Sequence, residues 1–573
     1  MLWLFVLSLL LSGCGGGSGG GGAGDPELQL YQDAIAAYQT ADYVSAVDLF
    51  SRQLAEFPNG TYSDESRYRL GRSQQALNNF TAARDAYGLV SATGNWVVEA
   101  AFYAARTYYD EAGLATDPVT AFGLLDTALI RLAAVNSRYP ASGLVDQTNY
   151  YIGRTYQSQA TLVKRDSTLS TQTAAQLFAN ARTFYATVQT TSVFYDNALY
   201  FTGRSYHETV PADYASARLT YQQLIADATS SWSDDAQYQL AKTYYDEAGD
   251  ALDPTSASYD PVTADATAMA GYSTAITEFD NVVGTSNRAD GARYYKGRSL
   301  HKQAALVEAN PTLSTTTYTQ YFADARTAYQ AVIDMGVASL YEDNAQYRIG
   351  RTYYDEALIA LAATDYSIVL QALSDAIGAM SVVTTNTTYQ ASNSADNAYY
   401  YLGRSYQRAA EVPSANRAAF TGGVDFTADN LATARTYFDV LTASGSAFAA
   451  SAWVDNALYE TGNTWWAQVQ NGSSTDQLAD YTAALANYNR VLVDYKGISS
   501  REDNAARKVA AIYDETGYCA DEQAAYTYVK AIPTATAFSI TEADSHLLDL
   551  QSAPNALHPC QQTIANLPGF TAP

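Results

Sequence analysis

"DNAYYYLGRSY", Asp396 to Tyr406, decides how this chain is read, because close variants of it recur. They are "DNALYFTGRSY" from Asp196, "DNAQYRIGRTY" from Asp343 and "DQTNYYIGRTY" from Asp146. Glycine, arginine and a hydroxyl residue in series suit either a phosphate-binding loop or a point where like units pack. Alignment on the glycine gives the reference positions Gly71, Ala105, Gly153, Gly203, Ala241, Gly297, Gly350, Gly403, Gly462 and Ala510. Every copy but that of Ala105 has an aspartate seven residues earlier, from Asp64 to Asp503, and an aromatic three residues earlier in all but the last. A second aromatic, such as Tyr108, Tyr156 or Tyr353, follows three residues after most of them. Coincidence on this scale predicts a repeat architecture. No strand precedes the glycine and no phosphate-loop pattern surrounds it, so it reads as a packing position.

The spacing is helical. Aspartate is a good helix N-cap, and aromatics on either side of a small residue fit a helix that a neighbour approaches closely. A second helix follows with its own signature, as in Ala83-Arg84…Tyr87, Ala181-Arg182…Tyr185 and Ala325-Arg326…Tyr329. Alanine and the aromatic at i, i+4 share a face. Each unit is therefore expected to be a helical hairpin, and the chain an all-α solenoid of about eleven stacked hairpins.

Gly71, Ala83 and Tyr87 match the small-small-aromatic pattern of the tetratricopeptide repeat, and Tyr43, Ala46, Phe50 and Pro58 fit its second helix and terminal proline. The chain thus resembles the tetratricopeptide repeat family over residues 27–532. Junctions such as "EFPNGTYSDESRYRLGRS" look like those of bacterial envelope lipoproteins of that family, of the outer-membrane β-barrel assembly and Tol–Pal-associated types. The resemblance implies a non-catalytic scaffold for protein–protein interaction. Residues 533–573 are expected to cap the last hairpin, whose outer face has no neighbour.

Composition limits the partners. The formal charge is −26, with 33 lysines and arginines against 59 acids, which argues against nucleic acid. Residues 1–14, "MLWLFVLSLLLSGC", resemble a bacterial lipoprotein signal ending in a lipobox, with lipidation at Cys14; a cleaved secretory peptide or short anchor is the plainer alternative. Residues 15–26 are a glycine-rich tether. The expected place is the bacterial cell envelope, lipid-anchored at the outer membrane and facing either the periplasm or the surface. Cys519 and Cys560 are then a pair that an oxidising compartment would allow to bond. His207, His301, His546 and His558 are scattered, and neither a metal site nor a cofactor is expected.

The residue after each reference position is usually arginine, four places beyond an aromatic and on the same face. Tyr68 with Arg72, Tyr150 with Arg154, Tyr200 with Arg204, Tyr294 with Arg298, Tyr347 with Arg351 and Tyr400 with Arg404 form a candidate binding ladder. In tetratricopeptide arrays these positions tend to line the concave groove, and such a groove would grip an extended peptide of another envelope protein. The competing reading has each arginine paired with a cap aspartate or a "YDE" acid, as cement. A glycan-binding lipoprotein with exposed aromatics is the alternative function. Adjacent "DE" pairs such as Asp110-Glu111 point about 100° apart on a helix, so no catalytic site is expected. Trp465 is expected in the core, and Trp466 to be exposed.

Overall fold

The computed structural model describes residues 25–335, 339–390, 392, 394–552, 560 and 562–573. Cys14, the signal and nearly all of the tether lie outside the described residues. The described chain is all-α: 24 α-helices and two short 3-10 turns, with no strand among the described residues. Consecutive helices pack pairwise, as an α-solenoid of hairpins requires. By contacts the chain divides into two compact units, one up to Ala236 and one from Gln237. The first carries five hairpins, from Pro26–Gln39 with Tyr43–Glu56 to Tyr195–Glu208 with Tyr214–Ala226. The second carries six, ending at Glu502–Thr516 with Cys519–Ala531, and then the single helix Ala537–Ser552.

Inside each hairpin the reference residue lets the second helix in. A Cβ built on Gly71 would stand 2.5 Å from the Tyr87 ring, on Gly153 2.5 Å from Tyr185, and on Gly297 2.6 Å from Tyr329. Those rings are fully or nearly fully buried. The glycine is thus a packing position, and the space it vacates is filled by an aromatic ring from the second helix, or at Gly350 by Met380.

The repeated aspartate is not an N-cap. The first helices begin at an uncapped residue two places before it, such as Tyr62, Phe194, Tyr341 or Trp453. Instead the carboxylate reaches the next junction along the chain. Asp290 accepts from Ser339 Oγ at 2.6 Å, Asp396 from Ser451 at 2.6 Å, Asp455 from Ser499 at 2.6 Å and Asp503 from Ser539 at 2.8 Å. In the three junctions of Ser339, Ser451 and Ser499 the serine also accepts from the backbone N–H two residues on, at 2.9 to 3.1 Å. The capping chemistry falls on the second helices, where Asp42, Asp117, Asp213, Asp365, Asp429 and Asp476 each accept from an N3 backbone N–H. The junction aspartate is partly or fully buried beside its serine, whereas the second helix starts in solvent-exposed chain.

The C-terminal residues lie on the last hairpin. Tyr513 Oη donates to the Pro568 carbonyl at 2.6 Å, Tyr518 Oη to that of Ile564 at 3.0 Å, and Phe570 N–H to Asp521 at 2.7 Å. Leu567 is buried there, and Cys519 is bonded to Cys560.

Candidate functional site

The six ladder tyrosines do not face a ligand. Tyr68, Tyr150, Tyr200, Tyr294, Tyr347 and Tyr400 are each at most 6% exposed. Most stack on the aromatic that begins the next first helix: Tyr68 on Trp96 (4.8 Å between centres), Tyr200 on Trp232 (4.3 Å), Tyr294 on Tyr341 (4.8 Å) and Tyr400 on Trp453 (4.4 Å). Burial drives up the phenol pKa, to about 12 for Tyr68 and for Tyr400, so these hydroxyls stay protonated. A platform of tyrosine rings for a peptide or a sugar is therefore not built at these positions.

The arginines follow a rule that the sequence reading missed. Most lie on the residue two places before the next reference position. Arg72 Cζ is 3.9 Å from the Tyr103 ring centre, Arg106 4.6 Å from Tyr151, Arg154 3.7 Å from Phe201 and Arg351 4.1 Å from Tyr401; Lys242 Nζ is 3.9 Å from Tyr295. Arg404 meets an acid there, Glu460. Arg72 and Arg154 also donate to the tyrosine hydroxyl on their own helix, at 3.4 and 3.0 Å. Cation–ring contacts of this kind contribute about 0.5–2 kcal/mol each. Arg204 pairs with Glu208 on its own helix.

A second ladder runs beside the first. The second-helix arginine lies on the aromatic three places after the next reference position: Arg84 on Tyr108 (4.3 Å), Arg182 on Tyr206 (4.3 Å), Arg326 on Tyr353 (4.1 Å) and Arg435 on Trp465 (3.7 Å). The "DE" acids divide between the two ladders. Asp110, Asp246 and Asp355 pair with Arg106, Lys242 and Arg351 on their own helices at 3.4, 3.0 and 2.7 Å. Glu111 and Glu356 pair with Arg84 and Arg326 of the preceding hairpin at 2.6 and 2.9 Å. The carboxylates are held by structural partners. Trp466 is half-buried, its Nε1 donating to Glu515 at 2.7 Å with Lys508 4.3 Å over its ring.

Two cavities collect ladder cations. In the first unit a cavity of about 900 Å³ has an apolar floor that includes Phe80, Leu125 and Leu162, with Arg72, Arg106 and Arg165 in its lining. Its carboxylate, Asp110, also accepts from Gln75 at 2.6 Å. In the second unit a cavity of about 440 Å³ is lined by Arg298, His301, Lys302, Tyr329, Arg348, Arg351 and Asp355. Asp355 accepts from His301 Nε2 at 2.9 Å and from Arg351 Nε at 3.0 Å. Burial opposes its charge, but these two partners outweigh burial and hold the carboxyl below the usual aspartate value. Burial keeps His301 below the usual histidine value against the pull of Asp355, with Arg348 and Arg351 acting in the same direction as burial.

One group has metal-ligand chemistry. Asp514, Glu522 and His546 bring ligand atoms within 4.8 Å of one another at the C-terminal end. The histidines look scattered in sequence; it is the packing of Ala537–Ser552 on the last hairpin that brings His546 to these acids, stacked 4.5 Å from the Tyr526 ring. His546 Nδ1 lies 3.5 Å from Glu522 Oε1, within ion-pair distance.

No protein-family model and no curated protein matches this chain.

Proposed function

We propose that the protein is a lipid-anchored scaffold of the bacterial cell envelope, exported and acylated at Cys14, which captures an extended segment of another envelope protein without catalysing a reaction. The hairpin array supports this reading because stacked hairpins present long surfaces rather than one enclosed centre. The first-unit cavity carries the reading. Its apolar floor suits one or two hydrophobic side chains, and Arg72, Arg106 and Arg165 set an orientation for neighbouring carboxylates. The chain as a whole is acidic, so these cations mark the place where an acidic segment is least repelled. The ladder supplies stiffness, and the cavity supplies recognition.

The test is site-specific photocrosslinking in cells, with the crosslinker at Leu162 on the cavity floor and, as control, at the exposed Leu219. The expected result is one discrete adduct from Leu162 alone, mapping to an extended acidic segment of an envelope protein. Equal, diffuse adducts from both positions would sink the proposal.

A further inference from the structure

Two recurrent contacts of the repeat are replaced around one cavity. In the hairpins of Gly71 and Gly153, the residue four places after the reference is glutamine, and it accepts from the second-helix tyrosine: Tyr87 Oη to Gln75 at 2.8 Å, Tyr185 Oη to Gln157 at 2.8 Å. In the hairpins of Gly203 and Gly297 that place holds a histidine, and the second-helix hydroxyl, of Tyr221 or Tyr329, is buried without a partner; His301 turns to Asp355. Two places before five of the reference positions stands the ring that receives the previous cation: Tyr103, Tyr151, Phe201, Tyr295 or Tyr401. Before Gly350 that place holds Arg348, a cation where the other copies offer a ring, and Arg298 lies instead 5.3 Å from the Tyr245 ring centre and 5.4 Å from that of Tyr295.

Both departures line the same cavity of about 440 Å³. Among the described residues Arg298, Lys302 and Arg348 have no carboxylate partner, and Arg348 Nε is buried without an acceptor. The lone acid in the lining, Asp355, is already taken by His301 and Arg351. Desolvation, and after it the like charges of Arg298 and Arg348, hold Lys302 below the usual lysine value. Three cations in one small lining are unfavourable unless an anion joins them, and local rules of a fold are most often broken at functional sites. One carboxylate would be satisfied by a single guanidinium fork. Three cations without a carboxylate partner call for an anion of higher charge.

We infer that this cavity is a binding site for a compact, doubly charged oxyanion of the phosphate type, free or as a phosphomonoester. It lies within the second unit and does not rest on the capture of a peptide in the first. Arg298 and Arg348 supply planar donor forks, Lys302 a mobile charge at the open side, and the Arg351–Asp355–His301 group a fixed wall.

Calorimetric titration of the full chain, purified in detergent, tests the site with inorganic phosphate, glycerol 1-phosphate and acetate at constant ionic strength. One saturable site for a phosphate compound and none for acetate is expected. Tighter binding of glycerol 1-phosphate than of inorganic phosphate identifies an esterified ligand, and the reverse order a free one. The double variant His301→Gln with Arg348→Tyr puts back the residues used elsewhere in the repeat. It should bind at least tenfold more weakly while unfolding at a higher temperature, so the loss is not one of fold. Lys302→Gln, on the solvent side, should weaken binding severalfold with unchanged melting. A flat phosphate titration, acetate binding as well as phosphate, or unchanged affinity in the double variant overturns the inference.

Discussion

Gly297 shows what a single residue does in this architecture. Its missing side chain leaves room for the Tyr329 ring, which a Cβ would approach to 2.6 Å while the ring has no exposed surface into which to move. Gly297→Ala is expected to destabilise the protein by about 1–3 kcal/mol through overpacking. Gly378 provides the contrast, since it lies within the helix Tyr366–Thr385 with nothing within 4 Å of a built Cβ. Gly378→Ala should stabilise by about 0.5–1 kcal/mol through helix propensity alone. Urea unfolding of the two variants reads both effects; destabilisation of equal size at both positions would refute the packing role. This role was legible in sequence, because the glycine recurs at fixed spacing from aromatics. The ring it meets was legible too, in the Ala-Arg…Tyr signature. The partner of the arginine was not, because the contact is made to the next hairpin, across an insertion whose length varies from copy to copy.

At the scale of the element, the junction is where sequence reasoning and structure part. A recurrent aspartate at the start of a helix has two satisfying outcomes: capping its own helix, or reaching an outside donor. Sequence spacing favours the first. Packing decides for the second, since the neighbouring junction places a serine hydroxyl 2.6 Å from Asp290, Asp396 and Asp455. A signal for this was present: serine stands eleven residues before the reference position in copy after copy, including Ser142, Ser192, Ser339, Ser451 and Ser499. In the two earliest junctions glycine replaces it, at Gly60 and Gly94, and there the preceding acid, Glu27 or Asp64, occupies the space of the side chain. Ser499→Ala tests the junction most sharply, because Asp455 and Ser499 are both buried. The substitution takes a donor from the carboxylate and an acceptor from Arg501 N–H. A loss of about 1–3 kcal/mol is expected, with far-ultraviolet dichroism unchanged. A loss below 0.5 kcal/mol (roughly that of a surface substitution) would show that the junction is held by the rings instead.

For the whole molecule, a hairpin array has no single core, so stability passes from neighbour to neighbour and its ends are weakest. The C-terminal end answers this with three devices acting together. Ala537–Ser552 covers the last hairpin, the segment around Leu567 lies over Tyr513 and Tyr518, and Cys519–Cys560 ties that segment back. Asp503 reaches Ser539 of the covering helix as other first-helix aspartates reach a junction serine, so the cap uses the array's own bond. The cap was foreseeable, because the repeat pattern fades after residue 532; the bond to Ser539 was not, since that segment has no reference glycine to align. The disulfide joins residues 41 apart, and cross-links of this span contribute about 2–4 kcal/mol. In a neighbour-coupled array that contribution stays local. Reduction should therefore raise amide exchange in the hairpin Glu502–Thr516 with Cys519–Ala531 and in Ala537–Ser552, by tenfold or more. Exchange in hairpins before residue 236 should stay the same. Hydrogen exchange with mass spectrometry, with and without reductant, reads both regions at once. A uniform rise along the chain would mean that the array unfolds as one cooperative block, and nearest-neighbour coupling would have to be abandoned for this protein.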